Sequence, residues 1–186
     1  MYKRQEKIYK IARENILRAI SPPMSKFTKG EIDEDTFWET RSKNSKLPIH
    51  EDCSKVFHKP LDIYGLPYKS IIKFTGKLQK LGYKNIVLSD EFKPQSANIE
   101  KLWRYDNFDS TLLSCDIWLS KYDDVTDSTN KVFDYALNKY WLQPQEAIFI
   151  DDKKENCISA QRVWIKSIVA ESPNQVIRDL KELLKI

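Results

Sequence analysis

Apolar residues near the start of the chain recur at intervals of three and four. This spacing places them on one helix face and predicts an amphipathic helix over residues 5–20, ended by Pro22 and Pro23. The apolar positions of this helix are Ile8, Ile11, Ala12, Ile16, Leu17 and Ile20.

A second, short helix is expected to begin at Asp33 as its N-cap and to carry Phe37 and Trp38 inward. Residues 42–67 are polar and interrupted by prolines, and no strand-like alternation is seen there. The first third of the chain is therefore predicted to consist of helices and loops.

From Tyr68 onward, helical patterns alternate with short apolar runs. The predicted helices span 69–81, 94–104, 129–140, 155–163 and a segment opened by Ser172 and Pro173. The predicted strands span 85–88, 111–113, 147–150 and 165–169. Continuous apolar strands that alternate with helices are typical of a parallel sheet covered on both faces. We therefore predict an α/β fold with a Rossmann-like parallel sheet over 67–186 and a small helical domain over 1–66.

Composition and charge exclude several classes of protein. No run of eighteen apolar residues and no secretory signal is seen, so we expect a cytoplasmic protein without a membrane partner. The net charge of +4 comes without a concentrated basic stripe, which argues against a nucleic-acid partner. Three cysteines without CxxC spacing indicate reduced thiols, and we assign them no chemistry.

Polar residues follow three of the predicted strands, where ligands bind in open parallel sheets. Ser89 follows the first strand, Lys121 lies after the second, and Asp151 and Asp152 follow the third. Two adjacent carboxylates raise one another's pKa unless they share a cation, and hard oxygen ligands suit Mg²⁺. A hydroxyl, an ammonium and an acidic pair at one sheet edge predict a phosphate site.

Each of these residues also has a simpler interpretation. Ser89 alone is typical of a capping or loop serine, and Lys121 alone of a surface lysine. Asp152 could do no more than favour the N-terminus of the next helix. The joint pattern, rather than any one residue, supports the phosphate site.

The same pattern resembles the haloacid dehalogenase-like (HAD) hydrolase superfamily, in the subfamily with a helical C1 cap. Residues 86–89 (IVLS) resemble its second motif, Lys121 its third-motif lysine, and residues 147–156 (AIFIDDKKEN) its fourth, metal-binding motif. The resemblance implies that Ser89, Asp90 and Lys121 bind phosphate, and that Ser89 and Lys121 take part in catalysis. It also implies Mg²⁺ at Asp151 and Asp152, with Asn156 orienting this pair.

For function, the resemblance implies a Mg²⁺-dependent phosphatase that acts on a small phosphorylated metabolite through an aspartyl-phosphate. Residues 1–66 would be the cap that closes over the site and selects the substrate. The family's first motif, a strand ending in Asp-x-Asp directly before the cap, has no match here. The chain therefore looks truncated by about one strand and turn, and as given it is expected to be inactive.

Two alternatives stay open. A metal-independent 2-haloacid dehalogenase would share the fold, although Asp151 and Asp152 argue against it. A relative that has lost its nucleophile would act as a binding module without catalysis. The sequence does not distinguish oligomeric states.

The chain has 4 glycines and 5 tryptophans among 186 residues, whereas an average composition would give roughly 13 glycines. Trp103, Trp118, Trp141 and Trp164 stand at helix ends or loops where related sequences commonly carry glycine, and Trp38 does not. One hypothesis is that UGA encodes glycine in the source lineage and was translated as tryptophan. The alternative is that these are genuine indoles that fill gaps around the core.

Overall fold

The computed structural model describes residues 23–45, 68–94, 96 and 107–186. The predicted helix over 5–20 and most of the one over 94–104, including Trp103, lie outside the described residues. No helix within the described ranges has both the length and the apolar character needed to cross a membrane.

The described helices and strands alternate over most of the chain. The helices are α1 over 23–28, α2 (Glu34–Ser45), α3 (Lys69–Lys80), α4 (Ser114–Ile117), α5 (Lys121–Thr126), α6 (Lys131–Tyr140), α7 (Lys154–Arg162) and α8 (Pro173–Leu184). The strands are β1 (Ile86–Ser89), β2 (Ser110–Leu113), β3 (Ile148–Asp151) and β4 (Lys166–Val169), and a 3-10 turn spans Pro144–Glu146. All four predicted strands are confirmed, with small shifts at their ends.

The chain divides into two compact units. The first comprises Met1–Gly65, Asp90–Arg104 and Leu113–Trp118, and the second comprises Leu66–Ser89, Tyr105–Leu112 and Leu119–Ile186. The first unit thus includes a segment that follows β1 and a segment that begins at Leu113, the last residue of β2.

Aromatic packing organises the described part of the first unit. The ring of Phe27 stacks on Phe37 at 4.8 Å and on Phe92 at 4.9 Å between ring centroids. The Asp33 carboxylate accepts a 2.8 Å hydrogen bond from the backbone N–H of Thr36, and Phe37 and Trp38 are buried. The predicted N-cap and the inward aromatic pair are therefore confirmed. Helix α2 continues to Ser45 rather than ending where the polar segment was predicted to begin.

The four described strands form two two-stranded sheets, one of β1 and β2 and the other of β3 and β4. Strands β3 and β4 are parallel, with Ile148 opposite Lys166 and Asp151 opposite Val169. The sequence predicted one sheet covered on both faces, but every residue of β1 is half-buried and Ile150 of β3 is exposed. Each strand of a two-stranded sheet has one edge without a neighbouring strand. Its residues are therefore less buried than those of a central strand in a wide sheet.

A hydrophobic cluster joins two helices of the second unit to β4. Phe74 and Leu78 of α3 pack with Ile168 of β4 and with Val176 and Leu180 of α8. Full burial of such a side chain stabilises the fold by about 1.5–3 kcal/mol. This cluster fixes β4, and through its pairing β3, in the unit.

A reciprocal pair of hydrogen bonds caps the N-terminus of α8. The Ser172 hydroxyl accepts from the backbone N–H of Gln175, and the Gln175 side chain accepts from the backbone N–H of Ser172. Replacing Ser172 with alanine should lower the free energy of unfolding by about 1 kcal/mol and the Tm by about 2–4 °C. Thermal unfolding followed by circular dichroism measures this change. Asn174→Ala, at an exposed position of the same helix, is the control, and an equal loss in both variants would contradict the capping role.

Candidate active site

Lys121 is a buried cation near the ends of β1 and β3. It is the first residue of α5, whose N-cap Ser120 accepts a 3.1 Å hydrogen bond from the backbone N–H of Asp123. The Lys121 side chain is only 9% exposed, and its Nζ donates a 2.7 Å hydrogen bond to the backbone carbonyl of Leu88 in β1. The simpler interpretation of a surface lysine is therefore wrong.

Asp151, the last residue of β3, is the anionic partner of this lysine. Its Oδ2 lies 3.0 Å from Lys121 Nζ, and its side chain is 8% exposed. Its Oδ1 accepts hydrogen bonds from the backbone N–H of Lys153 at 2.9 Å and from Asn156 Nδ2 at 3.0 Å. Both carboxylate oxygens are thus held by donors from the protein.

The surroundings of Asp151 favour its ionised form. Burial by itself raises the pKa of this carboxyl, but the charge of Lys121 and the hydrogen bonds from Lys153, Lys121 and Asn156 outweigh burial and lower the pKa below its ordinary value. The sequence predicted that the neighbouring carboxylate of Asp152 would raise this pKa unless a cation were shared. The Lys121 ammonium, 3.0 Å from the Asp151 carboxylate, is such a cation.

The other predicted residues are sequence neighbours of Leu88 or Asp151, or lie in the helix after β3. Ser89 ends β1, directly after the residue whose carbonyl binds Lys121, and is half-buried. Asp90 follows it and falls in the first unit. Asp152 follows β3 and is exposed, whereas Asn156 of α7 is buried. The structure therefore brings Lys121, Asp151 and Asn156 into one hydrogen-bonded cluster.

The carboxylate oxygens of Asp151 and Asp152 are of the chemical type that Mg²⁺ prefers as ligands. Within the described ranges, no three His, Cys, Asp or Glu side chains cluster closely enough to hold a metal ion. Mg²⁺, however, is commonly bound through one or two carboxylates, with waters and substrate phosphate oxygens as its other ligands. Asp151 and Asp152 are adjacent carboxylates that could serve in this way.

Sequence reasoning missed Asp124, a fully buried aspartate of α5. Its carboxylate accepts hydrogen bonds from the backbone N–H groups of Lys131 and Val132, both at 2.9 Å, and from the Thr129 hydroxyl at 2.6 Å. Its backbone carbonyl accepts a 2.7 Å hydrogen bond from Arg162 of α7. Asp124 thereby ties the helix that begins at Lys121 to the start of α6 and to α7.

The two described cysteines are buried and form no disulfide. Burial raises the pKa of the Cys115 thiol to about 11 and also raises that of Cys157. At pH 8 the thiolate fraction of Cys115 is then about a hundredfold below that of an ordinary cysteine thiol.

Alkylation of Cys115 by iodoacetamide at pH 8 should accordingly be at least about a hundredfold slower in the folded protein than in urea. The rate should rise about tenfold per pH unit between about pH 7 and pH 9, because the thiolate is the nucleophile and this range lies well below the pKa of Cys115. Peptide mass spectrometry measures the extent of alkylation at each cysteine separately. Equal rates in the folded and unfolded protein would contradict the burial of this thiol.

Comparison with solved structures finds HAD-like proteins. A HAD-like family hydrolase from Porphyromonas gingivalis is 16% identical with a TM-score of 0.67, covering 94% of this chain and 91% of that one. A HAD family enzyme from Bacteroides thetaiotaomicron is 18% identical with a TM-score of 0.67, covering 93% and 87%. The wild-type Bacteroides enzyme in complex with magnesium and inorganic phosphate is 17% identical with a TM-score of 0.55, covering 88% of each chain.

Comparison of sequences finds a curated relative of low identity. No family model matches the chain. Acyl-CoA dehydrogenase family member 10 of Mus musculus is 24% identical over 170 residues, which cover 88% of this chain and 15% of the mouse protein. The chain therefore corresponds to a small part of that curated relative.

Proposed function

The chain has the HAD-like α/β fold, and we propose that it supplies the phosphate-binding and metal-binding side of a Mg²⁺-dependent phosphatase for a small phosphorylated metabolite. The observation that carries this proposal is the buried Lys121 ammonium. It binds the carbonyl of Leu88 in β1 and the carboxylate of Asp151 in β3. A buried cation near the ends of two strands is suited to an anionic group such as a phosphoryl group.

Each residue of the cluster has a distinct part in this proposal. Lys121 neutralises charge on the phosphoryl oxygens, and the hydroxyl of Ser89 donates a hydrogen bond to one of them. Asp151 and Asp152 hold the Mg²⁺ ion, which when bound neutralises further phosphate charge. Asn156 keeps the Asp151 carboxylate oriented through its 3.0 Å hydrogen bond. The magnesium and phosphate bound to the Bacteroides enzyme support this choice of ligands.

The phosphoryl acceptor is an aspartate outside the four described strands. None of these strands ends in two aspartates one residue apart. In the proposed reaction a carboxylate oxygen attacks phosphorus, the ester P–O bond breaks, and the leaving oxygen takes a proton; water then cleaves the aspartyl-phosphate to inorganic phosphate. A strand lying between β1 and β3 would join the two sheets and bring such an aspartate near Lys121, which contacts both.

Binding of inorganic phosphate tests the site in the chain as it stands. Phosphate with Mg²⁺ should raise the Tm, because a ligand at 100 times its Kd stabilises the folded state by about 2.7 kcal/mol. Lys121→Met should abolish this ligand-dependent shift, whereas Lys139→Met, at an exposed position of α6, should keep it. Absence of a shift in the unsubstituted chain, or its persistence in Lys121→Met, would contradict the proposed site.

Turnover distinguishes the proposed phosphatase from its alternatives. The chain joined to a strand that ends in Asp-x-Asp should hydrolyse p-nitrophenyl phosphate with Mg²⁺ and lose this activity with chelator. Release of halide from a 2-haloacid without metal would identify the dehalogenase. Phosphate binding without turnover of either substrate would instead favour the binding module.

A further inference from the structure

Three tryptophans have a left-handed backbone conformation. The φ angles are 63° at Trp118, 56° at Trp141 and 66° at Trp164. In the described residues, the other non-glycine residues with positive φ are Ser128 and Lys185. A side chain with a Cβ atom is disfavoured in this conformation, which glycine adopts readily.

The hydrogen bonds at Trp141 and Trp164 explain why the chain turns there. In both cases the tryptophan N–H binds the carbonyl three residues back, at 3.3 Å for Trp141 and 3.0 Å for Trp164. The N–H of the following residue binds the carbonyl five residues back, at 3.0 Å and 3.2 Å respectively. This is the Schellman motif, whose left-handed position is usually glycine. At Trp118 the related left-handed motif ends α4. Here the backbone N–H of Trp118 donates a single 2.9 Å hydrogen bond to the carbonyl of Ser114.

Two glycines of the same chain occupy the same place in the same motif. After α1, Gly30 has φ 71°, and the two Schellman bonds measure 3.0 and 2.9 Å. After α3, Gly82 has φ 87°, and the bonds measure 2.9 and 3.0 Å. Lys185 also ends a helix in this way, so the motif favours glycine without requiring it.

Exposure separates these tryptophans from an ordinary one. Trp118, Trp141 and Trp164 are 63%, 92% and 77% exposed, so the alternative that they fill gaps around the core is wrong for all three. Trp38, in contrast, is 2% exposed, packs against Phe37 and donates from its Nε1 to Glu34. Its indole is used as buried indoles usually are.

We propose that the native residue at positions 118, 141 and 164 is glycine, encoded by UGA in a lineage that reads this codon as glycine, whereas Trp38 is a true tryptophan encoded by UGG. Two further observations support this assignment. Glycine is scarce in the chain, and each of the three positions lies within two residues of the end of a helix. The same assignment extends to Trp103, which lies outside the described residues.

The codons and the protein from its source organism test this assignment directly. UGA at positions 118, 141 and 164 with UGG at position 38, together with glycine in tryptic peptides of the native protein, is the expected result. UGG at the three positions, or peptides that contain tryptophan there, would overturn it.

Stability of recombinant variants gives a separate physical test. Trp118→Gly, Trp141→Gly and Trp164→Gly should each raise the Tm by about 2–4 °C, because each relieves a disfavoured φ at an exposed site. The control Trp38→Gly should lower the Tm, since it empties a buried position. An unchanged or lowered Tm in the triple variant would contradict the strain on which the assignment depends.

Discussion

Replacing Lys121 with methionine should lower the free energy of unfolding by about 3–5 kcal/mol, because it leaves the buried Asp151 carboxylate without its cation. Methionine keeps most of the length and apolar character of the side chain, so loss of packing contributes little. The Leu88 carbonyl also loses its 2.7 Å hydrogen bond from Nζ. Urea unfolding followed by far-UV circular dichroism measures the change.

Two further variants separate the ion pair from the loss of a lysine. Lys139→Met should change the free energy of unfolding by no more than about 1 kcal/mol, because Lys139 is exposed and its ammonium lies 5.8 Å from the centroid of the Tyr135 ring. Adding Asp151→Asn to Lys121→Met should recover part of the lost stability, since the uncompensated charge is then removed. A Lys121→Met variant as stable as the Lys139→Met control would contradict a buried ion pair.

Replacing Asp124 with asparagine should lower the free energy of unfolding by about 3 kcal/mol, because a buried acceptor of three hydrogen bonds becomes partly a donor. The amide group of asparagine has nearly the same shape but turns an N–H toward at least one backbone N–H of α6. Urea unfolding again measures the loss.

The control for this variant is Asp127→Asn, an exposed aspartate that follows α5. It should change the free energy of unfolding by no more than about 0.5 kcal/mol. Similar losses in the two variants would show that charge in this segment, rather than the cap that Asp124 forms on α6, stabilises the fold.

Most helices and strands could be predicted because their signals are local. The apolar spacing of Val132, Phe133 and Leu137 marks α6, and these three side chains are indeed buried. The Ser172 and Pro173 pair marks the start of α8 as predicted. Such patterns depend on residues within one or two turns, so a single sequence shows them.

Strand pairing and buried polar partners could not be predicted in the same way. The division into two sheets depends on contacts between distant segments. The partner of Lys121 in β1 is a backbone carbonyl, which every residue carries and no sequence pattern distinguishes. Asp124 lies in a polar stretch between the second predicted strand and the predicted helix over 129–140, and its spacing to Val132 follows no local capping rule. Lys121 and Asp151 could nevertheless be singled out because each follows a predicted strand, and Asn156 because of the family resemblance.

The continuity of β3, α7, β4 and α8 along the chain has a consequence for how the protein acquires its structure. These elements follow one another between Ile148 and Leu184, so their contacts form with short loop closures. Pairing of β1 with β2 must instead close a loop over residues 90–109. We expect the C-terminal elements to form an early cooperative foldon with the slowest amide hydrogen exchange in the chain, and β1 and β2 to exchange faster through partial opening.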